Sequence, residues 1–357
     1  MALDGIKTLD KWFAGISDKH IIIAGPCSAE SKEQVLSTAR QIKENGKVRF
    51  FRAGVWKPRT RPGSFEGIGE KALEWLAEAK QQTGLKTCVE VATPKHIKLA
   101  VESGVDALWI GARTVSNPFS VQELADALRN YDIPVMVKNP INPDIELWIG
   151  AIERIHKAGI DKIAAIHRGF YPFEKTNLRN IPKWEIPIEL KTRYPNLPLI
   201  NDPSHIAGDT KFIKEIVHKA IDINFDGLMI ETHITPHKAL SDSKQQITPE
   251  ELKDLLNTFS FKKSFVLKPE QQELEYLREK IDSIDKQMLE LLSKRMNIIE
   301  QIGEYKKNNN IAVFQLKRWK EIINQRLEFG KELNLSPEFI KQILEIIHKE
   351  SIMRQIK

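Results

Sequence analysis

Cys27 stands in GPCSAE, His205 in NDPSH, Glu231 in IETH and Asp242 in ALSDSKQQ, each at or just beyond the end of a short apolar run. Thiolate, imidazole and carboxylate make a mixed sulfur, nitrogen and oxygen donor set. Such a set suits a divalent transition metal (Mn2+ or another) better than calcium or magnesium. A second set is cationic: Arg52, Lys57 and Arg59 in FRAGVWKPRT, Arg113 in IGAR, Lys138 in PVMVKN and Arg168 in HRG. Guanidinium forks match phosphates and carboxylates, and like charges converging on one rim repel one another unless anions arrive. The pattern points to a phosphate-rich substrate pair. A single cysteine or histidine at a strand end is more often structural; joint placement on one rim carries the reading. Cys88 has no comparable companions and reads as core.

Elements must bring these residues together. The apolar runs are IIIAG (21–25), VRFFRAG (48–54), KTCVEVA (86–92), ALWIGA (107–112), PVMVKN (134–139), KIAAIH (162–167), LPLIND (197–202) and GLMIETH (227–233). They are nearly continuous in apolarity, as parallel strands buried on both faces should be. Amphipathic stretches such as 32–45 and 69–83 lie between them. The alternation indicates an α/β chain with a closed (β/α)8 TIM barrel over 1–258, the open doubly wound sheet being the alternative. In such a barrel the strand ends share one face, and that face is where chemistry sits.

A linker, FSFKKSFVLKP, follows at 259–269, and the pattern then changes. Leu274, Leu277, Ile281, Ile284, Met288, Leu291, Arg295, Ile298 and Ile302 recur at spacings of three and four, one helix of roughly 55 Å. Further helices are expected from about Leu316 to Leu333 and after a Ser336 cap with Pro337 in the first turn. Residues 270–357 thus form an all-α, three-helix unit, too thin to enclose its own core, so a homodimer or higher homo-oligomer through this unit is expected. Arg295 interrupts the apolar stripe, where a charge costs several kcal/mol unless paired. Two readings stay open on the helix pattern: a dimerisation arm with a snorkelling arginine, or a site.

Composition excludes some classes. The net charge of +6 comes from 54 basic and 48 acidic residues spread along the chain, not from the basic stripe of a nucleic-acid binder. Two cysteines make no disulfide framework and suggest a reducing compartment. No apolar run is long enough to span a bilayer, so neither membrane nor nucleic acid is an expected partner and a cytoplasmic location is expected.

The motifs GPCSAE, FRAGVWKPRT, GAR, HRG, DPSH, IETH and SD occur in the order found in type I 3-deoxy-arabino-heptulosonate 7-phosphate (DAHP) synthases, which the chain resembles from about Lys19 to Asp242. The resemblance implies the metal ligands Cys27, His205, Glu231 and Asp242. It implies phosphoenolpyruvate's carboxylate on Arg52 and Lys57 and its phosphate on Arg113, Lys138 and Arg168. Erythrose 4-phosphate would lie on Lys57, Arg59 and Thr60, with Asp202 near its hydroxyls or aldehyde, and Lys57 is expected to be catalytic. Glu90 is open between a water-activating base and a structural hydrogen-bond partner. Asn139-Pro140 departs from the glycine often found after the phosphate-binding lysine, so that loop should differ. The related arabinose 5-phosphate enzymes share the GPC and DPSH segments but typically carry an Ala-Asn-Arg-Ser-type stretch where KPRT stands.

From LREKIDSIDKQ onward to Gln355, the chain resembles the all-helical chorismate mutases. The resemblance places Arg278, Arg295, Lys306, Arg318, Ser351 and Gln355 at the active site, with Lys306 and Gln355 expected as catalytic donors to the ether oxygen of chorismate and the others as substrate-binding. Trp319 and Gln315 stand where carboxylates are usual; Glu321 is a possible substitute. The alternative for this unit is a non-catalytic metabolite-binding, regulatory or dimerisation module, and a role as allosteric sensor is compatible with either.

Overall fold

The computed structural model of the 357-residue chain describes residues 3–13, 19–57, 63, 65–173, 175–261 and 272–356, with no side chains described at 272–275. Two compact units divide it, Met1–Lys263 and Ser264–Lys357.

In the first unit the strands are β1 (Ile21–Gly25), β2 (Phe50–Arg52), β3 (Lys86–Val91), β4 (Ala107–Ile110), β5 (Val135–Lys138), β6 (Ile163–His167), β7 (Leu199–Asn201) and β8 (Gly227–Glu231). All neighbours pair in parallel, and β8 returns to β1 with Gly25 opposite Glu231, closing the barrel. Each lies inside one of the expected runs, trimmed where a run turns into its loop. The helices around the barrel are α1 (Lys32–Glu44), α2 (Lys71–Thr83), α3 (Pro94–Glu102), α4 (Ala112–Val115), α5 (Pro118–Leu128), α6 (Ile145–Lys157), α7 (Glu185–Arg193), α8 (Pro203–Ala207), α9 (Ile213–Asp222) and α10 (Pro249–Asn257). Helix starts are written locally. Thr93-Pro94, Asn117-Pro118, Asp202-Pro203 and Thr248-Pro249 each put an oxygen acceptor at the cap and proline in the first turn, and each cap side chain accepts a backbone N–H.

Strand parity builds the catalytic rim. Ile21, Ile23, Phe50, Cys88, Trp109, Met136, Ile166, Ile200 and Met229 belong to the small apolar cluster inside the barrel, closed below by Leu9 and Trp12. Ile22, Phe51, Val89, Leu108, Val137, Ala165 and Leu228 face the helices. Side chains two apart share a face. Two positions beyond the inner apolar residues therefore stand Arg52 after Phe50, Glu90 after Cys88, Lys138 after Met136, Arg168 after Ile166, Asp202 after Ile200 and Glu231 after Met229. The polar layer is the next storey of the same stack. Cys88 sits in the apolar storey, as its lack of companions suggested. His167 has the opposite parity and lies outside, among Phe170, Trp184 and Phe225.

Phe259 and Phe261 pack against the barrel core; the remainder of the expected linker, 262–269, lies outside the described residues. The second unit contains α11 (Gln272–Asn308), α12 (Leu316–Glu332) and α13 (Pro337–Ile356). Ser336 caps α13 by accepting from Phe339 N at 3.2 Å. Arg354 Nη1 meets Glu300 Oε1 at 2.7 Å and Gly303 approaches Gln355, so α13 runs beside α11 in the same sense. Leu277, Ile281, Ile284, Met288, Leu291 and Ile298 are all exposed. No helix among the described residues is long and apolar enough to cross a membrane.

Candidate functional sites

At the top of the barrel, Cys27 Sγ, a Glu231 carboxylate oxygen and an Asp242 carboxylate oxygen lie within 4.8 Å of one another. Cys27 Sγ is 3.4 Å from Asp242 Oδ2. His205 stands one step out: its Nε2 is 3.8 Å from Glu231 Oε1, while its Nδ1 meets the Asp202 carboxylate at 2.8 Å. An imidazole anchored by a carboxylate through one nitrogen, with the other turned to the cluster, is the arrangement that orients histidine ligands. The donors fit a divalent cation. Glu231 is fully buried, and no donor meets its Oε1 in hydrogen-bond geometry, although Arg52 Nη2 lies 3.0 Å away as an ion pair. Burial, with Glu231 and Asp242 nearby, pushes the Cys27 thiol up to about 12 against Lys57 and Arg52. A cation among these groups would offset the repulsion and favour the thiolate. Asp242 holds a left-handed backbone, φ 49° and ψ 38°, a conformation costing roughly 1 kcal/mol or more outside glycine.

Arg52 is almost fully buried. Its Nη2 lies 3.0 Å from Glu231 Oε1 and its guanidinium stacks over Trp109 at 4.9 Å, yet Nε and Nη1 have no hydrogen-bond acceptor. Buried donors without acceptors are costly unless an anion arrives to accept from them. Lys57 Nζ donates to Cys27 O at 3.0 Å and lies 3.1 Å from Cys27 Sγ. Burial works against its charge, but Cys27, Glu231 and Glu90 raise its pKa above the usual lysine value. Gly54 makes this fold-over possible: a Cβ there would come within 2.4 Å of Cys27 O and 2.9 Å of Lys57 Cδ.

Glu90 Oε2 accepts from Trp109 Nε1 at 3.0 Å, and Oε1 occupies the space a side chain at Gly111 would need. Glu90 is thus a hydrogen-bond partner that also lines, with Lys57, Trp56 and His96, a cavity of about 200 Å³. Asp202, expected near the sugar's hydroxyls or aldehyde, is held by protein partners. It is fully buried, with Lys138 Nζ at 2.8 Å, His205 Nδ1 at 2.8 Å and His205 N at 3.1 Å on its oxygens. Its lone pairs are committed to orienting those two residues.

Arg168 sits half-buried with Nη1 on Asn180 Oδ1 at 2.7 Å. Burial, with Arg179 and Arg113 adding repulsion, pulls its pKa down to about 10 despite Asp202. Arg113 is exposed on α4, close enough to be felt there. Asn139, just before the Pro140 that stands where glycine is usual, is fully buried. Its Oδ1 accepts from Arg168 N at 2.7 Å and its Nδ2 donates to Gly169 O at 2.8 Å, tying the ends of β5 and β6. Arg59 and Thr60 lie outside the described residues.

Sequence reasoning missed Arg179, Gln245 and Gln246. Arg179 Nη1 pairs with Asp242 Oδ1 at 3.0 Å and donates to Gln245 Oε1 at 2.6 Å; Gln245 Nε2 donates to Glu231 Oε2 at 2.7 Å; Gln246 Oε1 accepts from Cys27 N at 2.9 Å. All three belong to loops rather than strand ends. The signal available was the double glutamine three and four residues after the candidate ligand Asp242.

In the second unit, Arg295 Nη1 donates to Ser351 Oγ at 2.6 Å, and Lys306 Nζ donates to Gln355 Oε1 at 3.0 Å and Val313 O at 2.8 Å. These four come together. Arg295 is largely exposed in the single chain, and the partial burial of its guanidinium lowers its pKa, so only part of the burial cost expected from its stripe position is incurred there. Arg318 is exposed and meets Glu321 Oε2 at 3.5 Å, so Glu321 serves that arginine. Arg278 is 17 positions before Arg295 on the same helix, about 25 Å along the axis at the α-helical rise, and cannot share its own chain's pocket.

Comparison with known proteins gives two matches. The DAHP synthetase I family profile matches residues 5–266, and the chorismate mutase type II profile matches 277–356. A phospho-2-dehydro-3-deoxyheptonate aldolase of Thermotoga maritima is 36% identical over 235 residues, covering 66% of this chain and 67% of that protein. A 2-dehydro-3-deoxyphosphooctonate aldolase of Wolinella succinogenes is 26% identical, covering 66% and 97%. The crystal structure of the Thermotoga DAHP synthase superposes with a TM-score of 0.61 at 34% identity, covering 67% of this chain and 68% of that one.

Proposed function

The chain belongs to the DAHP synthetase I family, with a type II chorismate mutase domain after the barrel in sequence, and from that premise we infer that one polypeptide catalyses two reactions of aromatic biosynthesis. The first condenses phosphoenolpyruvate with erythrose 4-phosphate. C3 of phosphoenolpyruvate bonds to the aldehyde carbon, water adds at C2, and inorganic phosphate leaves.

Arg52 carries the reading: a buried guanidinium with two nitrogens that lack an acceptor, beside three side chains that could hold a metal ion. Those donors suit the phosphoenolpyruvate carboxylate. Lys138 and Arg168, with Arg113 and the newly found Arg179, suit its phosphate. Lys57 remains protonated and lies between this anion site and Cys27, where it can neutralise charge on the aldehyde oxygen as the carbon–carbon bond forms. Cys27, Glu231, Asp242 and His205 would hold the divalent ion, Mn2+ or another transition metal, which when bound supplies Lewis-acid polarisation of the aldehyde. Asp202 acts through Lys138 and His205 rather than on the sugar.

The second reaction is the Claisen rearrangement of chorismate to prephenate. Arg295 clamps a carboxylate and favours the reactive conformer. Lys306 fixes Gln355: with Oε1 accepting from Lys306 and one amide N–H donating to Ser351 O, the other N–H is left to donate to the ether oxygen. Both groups stabilise charge that grows in the transition state. The exposed apolar stripe of α11 supports a homodimer in which Arg278 completes the partner's pocket.

The test of the first reading is kcat/KM for phosphoenolpyruvate paired with erythrose 4-phosphate or with arabinose 5-phosphate. A clear preference for the four-carbon aldehyde is expected. Preference for arabinose 5-phosphate would move the chain to the octulosonate reaction.

A further inference from the structure

Within the second unit's described residues, one buried side-chain nitrogen has no hydrogen-bond partner: Nε2 of His348. Its surroundings are built. The Trp319 ring of α12 stacks flat on the imidazole, with centroids 3.8 Å apart and planes 13° apart, and Phe314 closes at 6.0 Å. On α13, His348, Ser351 and Gln355 fall at positions i, i+3 and i+7, one helix face. That face is the one that receives Arg295 and Lys306. An imidazole fixed in plane by a tryptophan, with a dry and unpartnered nitrogen on the pocket's face, is expensive unless something arrives to bond it.

We propose that His348 is a substrate-binding residue of this second site, its Nε2 making the hydrogen bond to the ring hydroxyl of chorismate. The inference rests on the mutase reading above. The substrate's two carboxylates are matched by arginines and its ether oxygen by Lys306 and Gln355, so the hydroxyl is the polar group still without a protein partner. It is uncharged and can donate or accept. His348 is uncharged too: burial, with Arg295 and Lys306 close by, lowers its pKa below the usual histidine value. A neutral nitrogen suits a hydroxyl without adding a charge beside those cations. Trp319 and Gln315, where carboxylates are usual, leave the task to a different group, and the stack shows how Trp319 takes part: it holds the ring.

The test compares chorismate with its analogue carrying hydrogen in place of the ring hydroxyl, in the full chain and in His348→Phe, which keeps the aromatic stack and removes both nitrogens. Wild type should favour chorismate in kcat/KM. The variant should lose roughly tenfold on chorismate, about the value of one hydrogen bond, and stay within about twofold of wild type on the analogue. Retained turnover of the analogue also reports an assembled site. If His348→Phe does not fold, His348→Leu carries the same comparison. An equal loss on both substrates, or no loss on either, overturns the proposal while leaving the mutase reading intact. Absence of chorismate turnover by the wild-type chain removes that reading and this inference with it.

Discussion

Charge is buried at the barrel rim only where something compensates it, and each residue's part follows from which compensation is missing. Glu231 has Gln245 donating to one oxygen and only the Arg52 ion pair, without hydrogen-bond geometry, on the other; Cys27 keeps a proton that a cation would displace. Replacing Cys27 with alanine removes one of the three clustered donors. The variant is expected to bind Mn2+ at least tenfold more weakly by equilibrium dialysis and to lose synthase activity while keeping mutase activity; undiminished metal content would remove Cys27 from the ligand set. His167 makes a prediction about pH. It is fully buried, its Nε2 on Pro182 O at 2.6 Å and its Nδ1 facing Asn201 Nδ2 at 3.2 Å, and burial lowers its pKa to about 4. The unfolded chain protonates this side chain near its ordinary value of about 6.5, so it takes up the proton first as pH falls. His167 therefore contributes stability fully above about pH 6.5, and that contribution is lost between 6.5 and 4, on the order of 3 kcal/mol. Urea midpoints across that window should fall less steeply for His167→Gln than for wild type. Parallel curves would mean the histidine is not held neutral.

At the scale of elements, α11 decides how the second site is completed. A helix of 37 residues carries Arg278 and Arg295 about 25 Å apart, while its apolar stripe stays exposed in the single chain. If two copies pair along that stripe, Arg278 of each serves the other's pocket. Mixed Arg278→Ala and Lys306→Ala protomers should then recover up to about a quarter of wild-type mutase activity after subunit exchange, since one pocket in half of the dimers is intact. No recovery, or a monomer in sedimentation, contradicts it. The elements themselves were legible. Apolar runs located the strands, Ser336 followed by Pro337 located the start of α13, and the ends of the runs located the rim; the two-residue strand repeat, from Phe50 to Arg52 or Met229 to Glu231, is why those ends converge. What was not legible depended on distant chain segments meeting. The pairing of Asp202 with Lys138 joins residues 64 positions apart. Arg179 sits in a loop whose path only the folded β6–β7 connection sets. Trp319 looked like a lost carboxylate because nothing in its own helix announces His348.

For the whole molecule, the question is why two sites separated by several chemical steps share one chain. Their intermediates come from other enzymes, so direct transfer explains little, and regulation is the simpler account: a ligand that binds the mutase pocket inhibits the synthase only by favouring one of two states of the whole chain. Prephenate should therefore inhibit the synthase reaction of the intact protein, and the inhibition should vanish in Arg295→Ala and in a truncation ending near Lys262. Equal inhibition in all three would place the ligand at the barrel. The central claim is that this chain holds two independent chemistries, one needing a metal and one needing none. The most direct measurement is a paired assay of the purified full chain, with phosphoenolpyruvate plus erythrose 4-phosphate in one arm and chorismate in the other, before and after exhaustive chelation and again after Mn2+ is restored. Chelation should abolish phosphate release in the first arm and Mn2+ should restore it, while prephenate formation in the second arm continues unchanged throughout. Condensation at full rate in metal-free protein, or loss of both activities together, would contradict the account.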